Sequence, residues 1–137
     1  MANEATSIWT NSAGDYVSYA DGPDNRFTFG KDAWTIEFWG QNTNTSSPAV
    51  GWFSYAKDSN NRFHLTNYAN LEFFSNVGGS SQNLQILKSR DLSWHHYAVV
   101  RNGNALGIWM DGELIGSNDS FTQDMNFSGG TFYVGVR

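Results

Sequence analysis

Aromatic side chains are the chemistry this sequence offers most freely: six tryptophans, six tyrosines and ten phenylalanines in 137 residues. That exceeds what the core of one small domain requires, so some rings belong on the surface or at an interface. Flat rings stack on sugar faces while neighbouring Asn, Asp and Gly backbone groups take sugar hydroxyls, and the chain has both ingredients. Trp39, Trp52, Tyr55, Tyr68 and Trp109 are the candidate ligand-binding rings. Trp39 and Trp109 fall opposite the sets Trp34/Ile36/Phe38 and Leu106/Ile108/Met110, which alternation sends to the core. Trp52, Tyr55 and Tyr68 lie in strands or beside loops where exposure is expected. The competing reading for each single ring is packing, because the outer side of a strand can itself be covered by a loop or a neighbour.

Catalytic patterns are poor by comparison. Glycoside hydrolysis needs two carboxyl groups about 5–10 Å apart. Glu37 is the lone acid of its run, and Asp111 and Glu113 flank Gly112, where turn geometry explains the aspartate. No Gly-x-Ser-x-Gly elbow accompanies the histidines. His95 and His96 are adjacent in a strand-like run and point to opposite faces, so they cannot chelate one metal ion together. His96 shares a face with Trp94, Ala98 and Val100 and reads as a core histidine bonded to a backbone carbonyl. The reading is therefore of a protein that is not an enzyme.

Composition removes further classes. One domain over residues 1–137 fits a chain of this length. Cysteine is absent, which excludes disulfides, thiolate metal sites and cysteine nucleophiles. Eight Lys and Arg against 13 Asp and Glu give a net charge of −5. The basic residues are scattered, so no nucleic acid partner is expected. Charged residues make up only 15% of the chain, against a usual figure of about 25%. The surface is thus largely Asn, Ser, Thr and Gly. No run approaches the roughly 18 apolar residues of a membrane span, so no membrane insertion is expected, and the first residues encode no classical signal peptide.

The elements that must position these side chains are strands. No stretch repeats its apolar positions at three and four, whereas short β-branched and aromatic runs recur between Gly, Asn, Asp and Ser. The pattern predicts strands near 6–10, 15–20, 34–41, 50–56, 62–66, 70–75, 83–87, 93–101, 105–111, 113–117 and 131–136. Loops are expected at 21–25, 42–48, 57–61, 76–81 and 118–124. Asn102-Gly103 and Asp111-Gly112 accept the positive φ angles of primed turns, so 93–117 is predicted to be a three-stranded meander. The fold class is all-β, an antiparallel two-sheet sandwich.

Four segments, in order, carry a likeness to a known family. They are Gly14-Asp15-Tyr16-Val17, Trp34-Thr35-Ile36-Glu37-Phe38-Trp39, Ser93-Trp94-His95-His96-Tyr97-Ala98-Val99-Val100-Arg101, and Ile108-Trp109-Met110-Asp111-Gly112-Glu113-Leu114-Ile115-Gly116. The chain resembles the concanavalin A-like jelly roll in its laminin-G-like form, whose members commonly read Gly-Asp-Tyr, Thr-Ile-Glu-x-Trp, Trp-x-His-x-Ala-x-x-Arg and Tyr-x-Asp-Gly at these places. Glycosidases of this class carry carboxylates on alternate strand residues as Glu-x-Asp-x-x-Glu, and this chain has no such triplet. Many members bind calcium at the rim of the sandwich. Asp21, Asp24 and Asn25, or Asn118, Asp119 and Asp124, are the loop oxygens that would serve it, although Asp-Gly-Pro-Asp-Asn is also ordinary turn chemistry. No other cofactor is implied. The sequons at Asn44, Asn118 and Asn126 are what chance gives in an Asn-rich chain.

The resemblance also implies a further strand after Phe132-Tyr133-Val134-Gly135, beside the N-terminal strand, and this chain ends at Arg137. An open sheet edge is therefore expected, capped by a protein partner or by a second copy of the chain in a homo-oligomer, unless a loop or an N-terminal segment covers it. Two functions follow. One is a non-catalytic module carried on a virion or cell-surface assembly, such as a bacteriophage decoration or tail protein, that also contacts glycans. The other is a stand-alone lectin-like carbohydrate-binding module.

Overall fold

Period-two alternation of apolar and polar residues decides the architecture. In the computed structural model, which describes residues 15–23, 25–43 and 50–135, all regular structure is strand. The strands are β1 (Val17–Ala20), β2 (Trp34–Gln41), β3 (Val50–Asp58), β4 (Asn61–Asn67), β5 (Leu71–Val77), β6 (Ser80–Ile86), β7 (Trp94–Asn102), β8 (Ala105–Met110), β9 (Glu113–Asn118) and β10 (Thr131–Val134). They form a six-stranded sheet, β1-β10-β3-β4-β5-β6, and a four-stranded sheet, β2-β7-β8-β9. Every pairing is antiparallel. This is the predicted sandwich. The predicted strand 6–10, Gly14, Asp24 and the sequon at Asn44 lie outside the described residues.

Turn chemistry sets the registers. The meander β7-β8-β9 forms as expected, with Asp111 and Gly112 both at positive φ (53° and 83°) in the second turn. The first turn differs in detail. Its loop residues are Gly103 and Asn104, and only Gly103 has positive φ (61°), so the turn is of the kind that needs glycine first. The segments expected as loops at 57–61 and 76–81 are tight hairpins instead. Gly78 and Gly79 (φ 59° and 85°) close β5 onto β6. Asp58 caps the β3–β4 turn by accepting from Asn60 N (2.8 Å) and Asn61 Nδ2 (3.0 Å).

Between the sheets lie Phe53, Tyr55, Phe63, Leu65, Leu71, Phe73, Tyr97, Val99, Leu106 and Ile108, all buried. The connection from β9 to β10 closes one end by alternation outside any strand: Phe121, Met125 and Phe127 turn inward, and Thr122, Asp124 and Asn126 turn out. Arg101, fully buried, ties that connection down. It donates to the carbonyls of Gly30 (2.8 Å), Gln123 (2.7 Å) and Gly103 (2.8 Å), and its guanidinium lies 4.9 Å from the Phe121 ring centre. Among the described residues, β1 and β6 border the larger sheet and β2 and β9 the smaller.

Candidate functional site

Alternation along β2 turns Trp34, Ile36, Phe38 and Gly40 toward the core, and Thr35, Glu37, Trp39 and Gln41 outward. On β7, Tyr97, Val99 and Arg101 face inward and Trp94, His96 and Ala98 face out. Trp39 stands opposite His96, Glu37 opposite Ala98, Ala98 opposite Trp109, and Trp109 opposite Leu114. The outer face of the four-stranded sheet thus gathers Trp39, Trp94, Trp109, His96, Glu37 and Leu114. Trp39 is 65% exposed and Trp94 50%. Strand spacing and rise place Trp39 and Trp109 about 12 Å apart on that face.

The local chemistry explains how the rings are held. Trp39 leans on the His96 imidazole, centres 5.4 Å apart and planes at 53°, and His96 Nε2 is 3.7 Å from Glu37 Oε2. The half-buried Trp109 lies over Gly107, where a Cβ would come within 2.5 Å of the indole and 3.1 Å of Leu114. Glycine there lets the indole settle on the sheet. Beside it is a shallow depression of about 340 Å³ lined by Val100, Ala105, Gly107, Trp109, Leu114 and Ser117 among others. A face of this kind offers planar apolar surface flanked by the Glu37 and Asp119 carboxylates and the His96 imidazole, groups that can take the hydroxyls of a polyhydroxylated ligand.

His96 is a correction. It does share a face with Trp94, Ala98 and Val100, but that face looks outward, and the residue is half-buried against Trp39 rather than bonded in the core. The inner face of β7 accepts the more polar set, because Arg101 finds three carbonyls there. Both ring nitrogens of His95 are engaged by carboxylates. Its Nδ1 meets Asp111 Oδ2 at 2.6 Å and its Nε2 meets Asp91 at 2.9 and 3.0 Å. Those bonds to Asp111 and then Asp91 raise its pKa, and hydrogen bonds hold both carboxyls below their usual range. The imidazolium staples the loop before β7 to the β8–β9 turn.

Of the five rings picked from sequence, the structure brings Trp39 and Trp109 together and separates the rest. Tyr55, expected to be exposed, is fully buried. Its hydroxyl donates to Asp21 Oδ2 (3.0 Å) and accepts from Gly130 N (3.0 Å). Trp52 is also turned in. A register shift between Gly51 and Phe53 rotates it under β2, where it packs 5.5 Å from both Phe38 and Tyr97 and fills the space above Gly40. Tyr68 is 55% exposed but sits in the β4–β5 turn of the other sheet. Trp94 was missed; its place on the face of Trp39 was legible from its two-residue spacing to His96.

The calcium loop is incompletely described, since Asp24 lies outside the described residues. Asp21 is buried and committed to Tyr55 through one oxygen, while Oδ1 has no hydrogen-bond partner among the described residues. Asn25 is exposed at φ 49°. The described residues hold no cluster of three metal-ligating side chains. At the alternative loop, Asn118 Oδ1 caps Ser120 N (2.9 Å).

Comparison with known proteins agrees with the architecture. The model of a family described as the concanavalin A-like lectin/glucanases superfamily matches residues 11–137. No curated protein matches the sequence. Among solved structures the chain is similar to the binding domain of botulinum neurotoxin DC in complex with SialylT. The two are 17% identical with a TM-score of 0.69, over 90% of this chain and 32% of that one. It is similar as well to the CBM40 of Ruminococcus gnavus IT-sialidase bound to α2,3-sialyllactose, at 14% identity and TM-score 0.64, over 88% and 76%. A third is domain 4 of AbnA, an extracellular arabinanase from Geobacillus stearothermophilus, in complex with arabinotriose, at 17% and 0.65, over 79% and 53%. The chain spans about a third of the length of the toxin chain it matches. At these identities the likeness is one of fold.

Proposed function

The chain belongs to the concanavalin A-like lectin/glucanases superfamily, and from that premise we propose that it is a non-catalytic glycan-binding module. In this reading a saccharide lies across the outer face of the four-stranded sheet. Trp39 and Trp109 are the stacking platforms, and Glu37 and His96 take hydroxyls between them. The observation that carries it is the convergence of two indoles, chosen from sequence alone, on one open face, with Trp39 65% exposed. The saccharide complexes of the carbohydrate-binding module and the arabinanase domain support the ligand class. Glu37 has an imidazole as its neighbour, not the second carboxylate that hydrolysis requires. A glycan array followed by calorimetric titration of the best binder tests the reading. Trp39→Ala is expected to weaken that binder about tenfold or more with the melting temperature unchanged. A blank array with folded protein would refute it.

A protein partner is a second reading, favoured by the outer edge of β2, which has no neighbouring strand among the described residues and adjoins Trp39. Such an edge can be capped by a second copy or by a strand of a carrying assembly, such as a virion. Light scattering over a concentration series decides between self-association, which rises with concentration, and a monomer, which removes the homo-oligomer.

A further inference from the structure

The outer face of the six-stranded sheet carries a different constellation, and its chemistry is ionic. Arg62 on β4 lies with its guanidinium 5.5 Å from the centre of the Phe74 ring on β5. His64 stacks on the same ring, 5.0 Å away with planes 16° apart. Burial and then the Arg62 charge push His64 below its ordinary pKa, so Arg62 is the cation of the group. A guanidinium laid on a ring is held in place without losing its hydrogen-bonding edge. Among the described residues Arg62 makes no hydrogen bond or ion pair. This is so in a chain with five more acidic than basic residues (13 against 8).

Neither neighbouring carboxylate serves it: Asp58, at the β3–β4 turn, accepts from Asn60 N and Asn61 Nδ2, and Glu72 is engaged elsewhere on this face. Glu72 Oε1 accepts from Asn83 Nδ2 and Gln85 Nε2, both at 2.9 Å. Register puts Arg62 opposite Asn76, four residues from Glu72 along β5, which is about 13 Å. The His64–Phe74 stack lies between the two. Ala56 and Ser81, in the cross-strand row of Arg62, and Ser54, in that of His64, are small.

We propose that this strip is a second binding site, for a carboxylate-bearing saccharide. Arg62 takes the carboxylate in its fork, and the Glu72–Asn83–Gln85 group takes hydroxyls of an adjoining neutral ring. A ligand with one anionic end and a polyol end matches an unpaired cation at one end of the strip and an acceptor-rich carboxylate at the other. An acidic peptide fits less well, because its further carboxylates would meet Glu72. The inference does not rest on the Trp39 face.

Calorimetric titration of the whole chain with sialyllactose, galacturonosyl-rhamnose, which pairs one uronate with one neutral ring, lactose and a short polyglutamate tests it. At least one of the two acidic sugars is expected to bind, more weakly as salt rises, and which one binds identifies the source of the carboxylate. Arg62→Gln is expected to weaken that binding about tenfold or more. Arg62→Lys should fall between, since an ammonium lacks the fork, and Trp39→Ala should leave it unchanged. Failure to bind either acidic sugar overturns the proposal, as does binding indifferent to Arg62→Gln or equal binding of polyglutamate. Loss with Trp39→Ala but not Arg62→Gln would overturn it while sustaining the reading of the four-stranded face.

Discussion

Two populations of aromatic residues share this molecule, and they differ in what holds them. Between the sheets, rings hold one another. Phe63 contacts Phe29, Phe53, Tyr55, Phe73 and Phe127, with centres 5.5 to 6.4 Å apart. On the outer face of the four-stranded sheet, Trp39 leans on His96 and Trp109 settles over Gly107 beside Leu114. An interior ring is fixed by close packing on all sides, so its loss leaves a cavity. An outer ring keeps one side toward water, so its loss costs little in folding and removes a ligand platform. The same residue type therefore supports stability in one region and recognition in the other.

Substitutions can break or sharpen that contrast. Phe63→Ala is expected to cost about 3–5 kcal/mol in chemical denaturation; a cost as small as that of a surface change would mean that the inter-sheet rings are loosely packed. Tyr55→Phe keeps the ring but strips the bond to Asp21 Oδ2 and the acceptor for Gly130 N, for an expected loss of about 1–3 kcal/mol and no change in glycan binding. Any binding defect would return Tyr55 to the ligand site. Trp39→Ala should show the reverse, a stability change within about 0.5 kcal/mol together with the binding loss given above.

The smallest effect concerns pH. His95 is raised above its ordinary 6.5 by Asp111 and Asp91, so its contribution is complete below that value and fades as pH rises through the raised pKa. Both aspartates are lowered from 3.8, so the same staple is also lost as acid protonates them. Thermal melts of the protein and of His95→Gln should differ most between about pH 4 and 6.5 and converge at alkaline pH. A difference that grows toward alkali would contradict the imidazolium.

Much of the fold was legible because alternation is local. The run 34–41 and the meander 93–117 appear where the sequence pattern puts them, and the turn glycines explain why. The candidate face was half legible. Alternation on β2 and β8 sent Trp39 and Trp109 outward, but nothing local said that the two strands lie two apart in one sheet. The errors have physical reasons. Trp52 was misassigned because a register shift reverses the side of a strand that a ring faces. His96 was misassigned because both faces of β7 are apolar enough to be core, and a buried Arg101 claimed one of them. Tyr55 was misassigned because its burial depends on partners far off in the chain, Asp21 and Gly130, which satisfy its hydroxyl inside.

The amino-acid sequence by itself determined an all-β chain, the places of its tight turns, and an aromatic supply beyond ordinary need, since each follows from propensity and spacing over a few neighbouring residues. Only the tertiary structure decided which rings close the core and which face water. It also decided that Arg62 rests on Phe74 without an acidic partner among the described residues. Those outcomes depend on strand order and register, which join residues far apart in the chain and are fixed by packing between sheets.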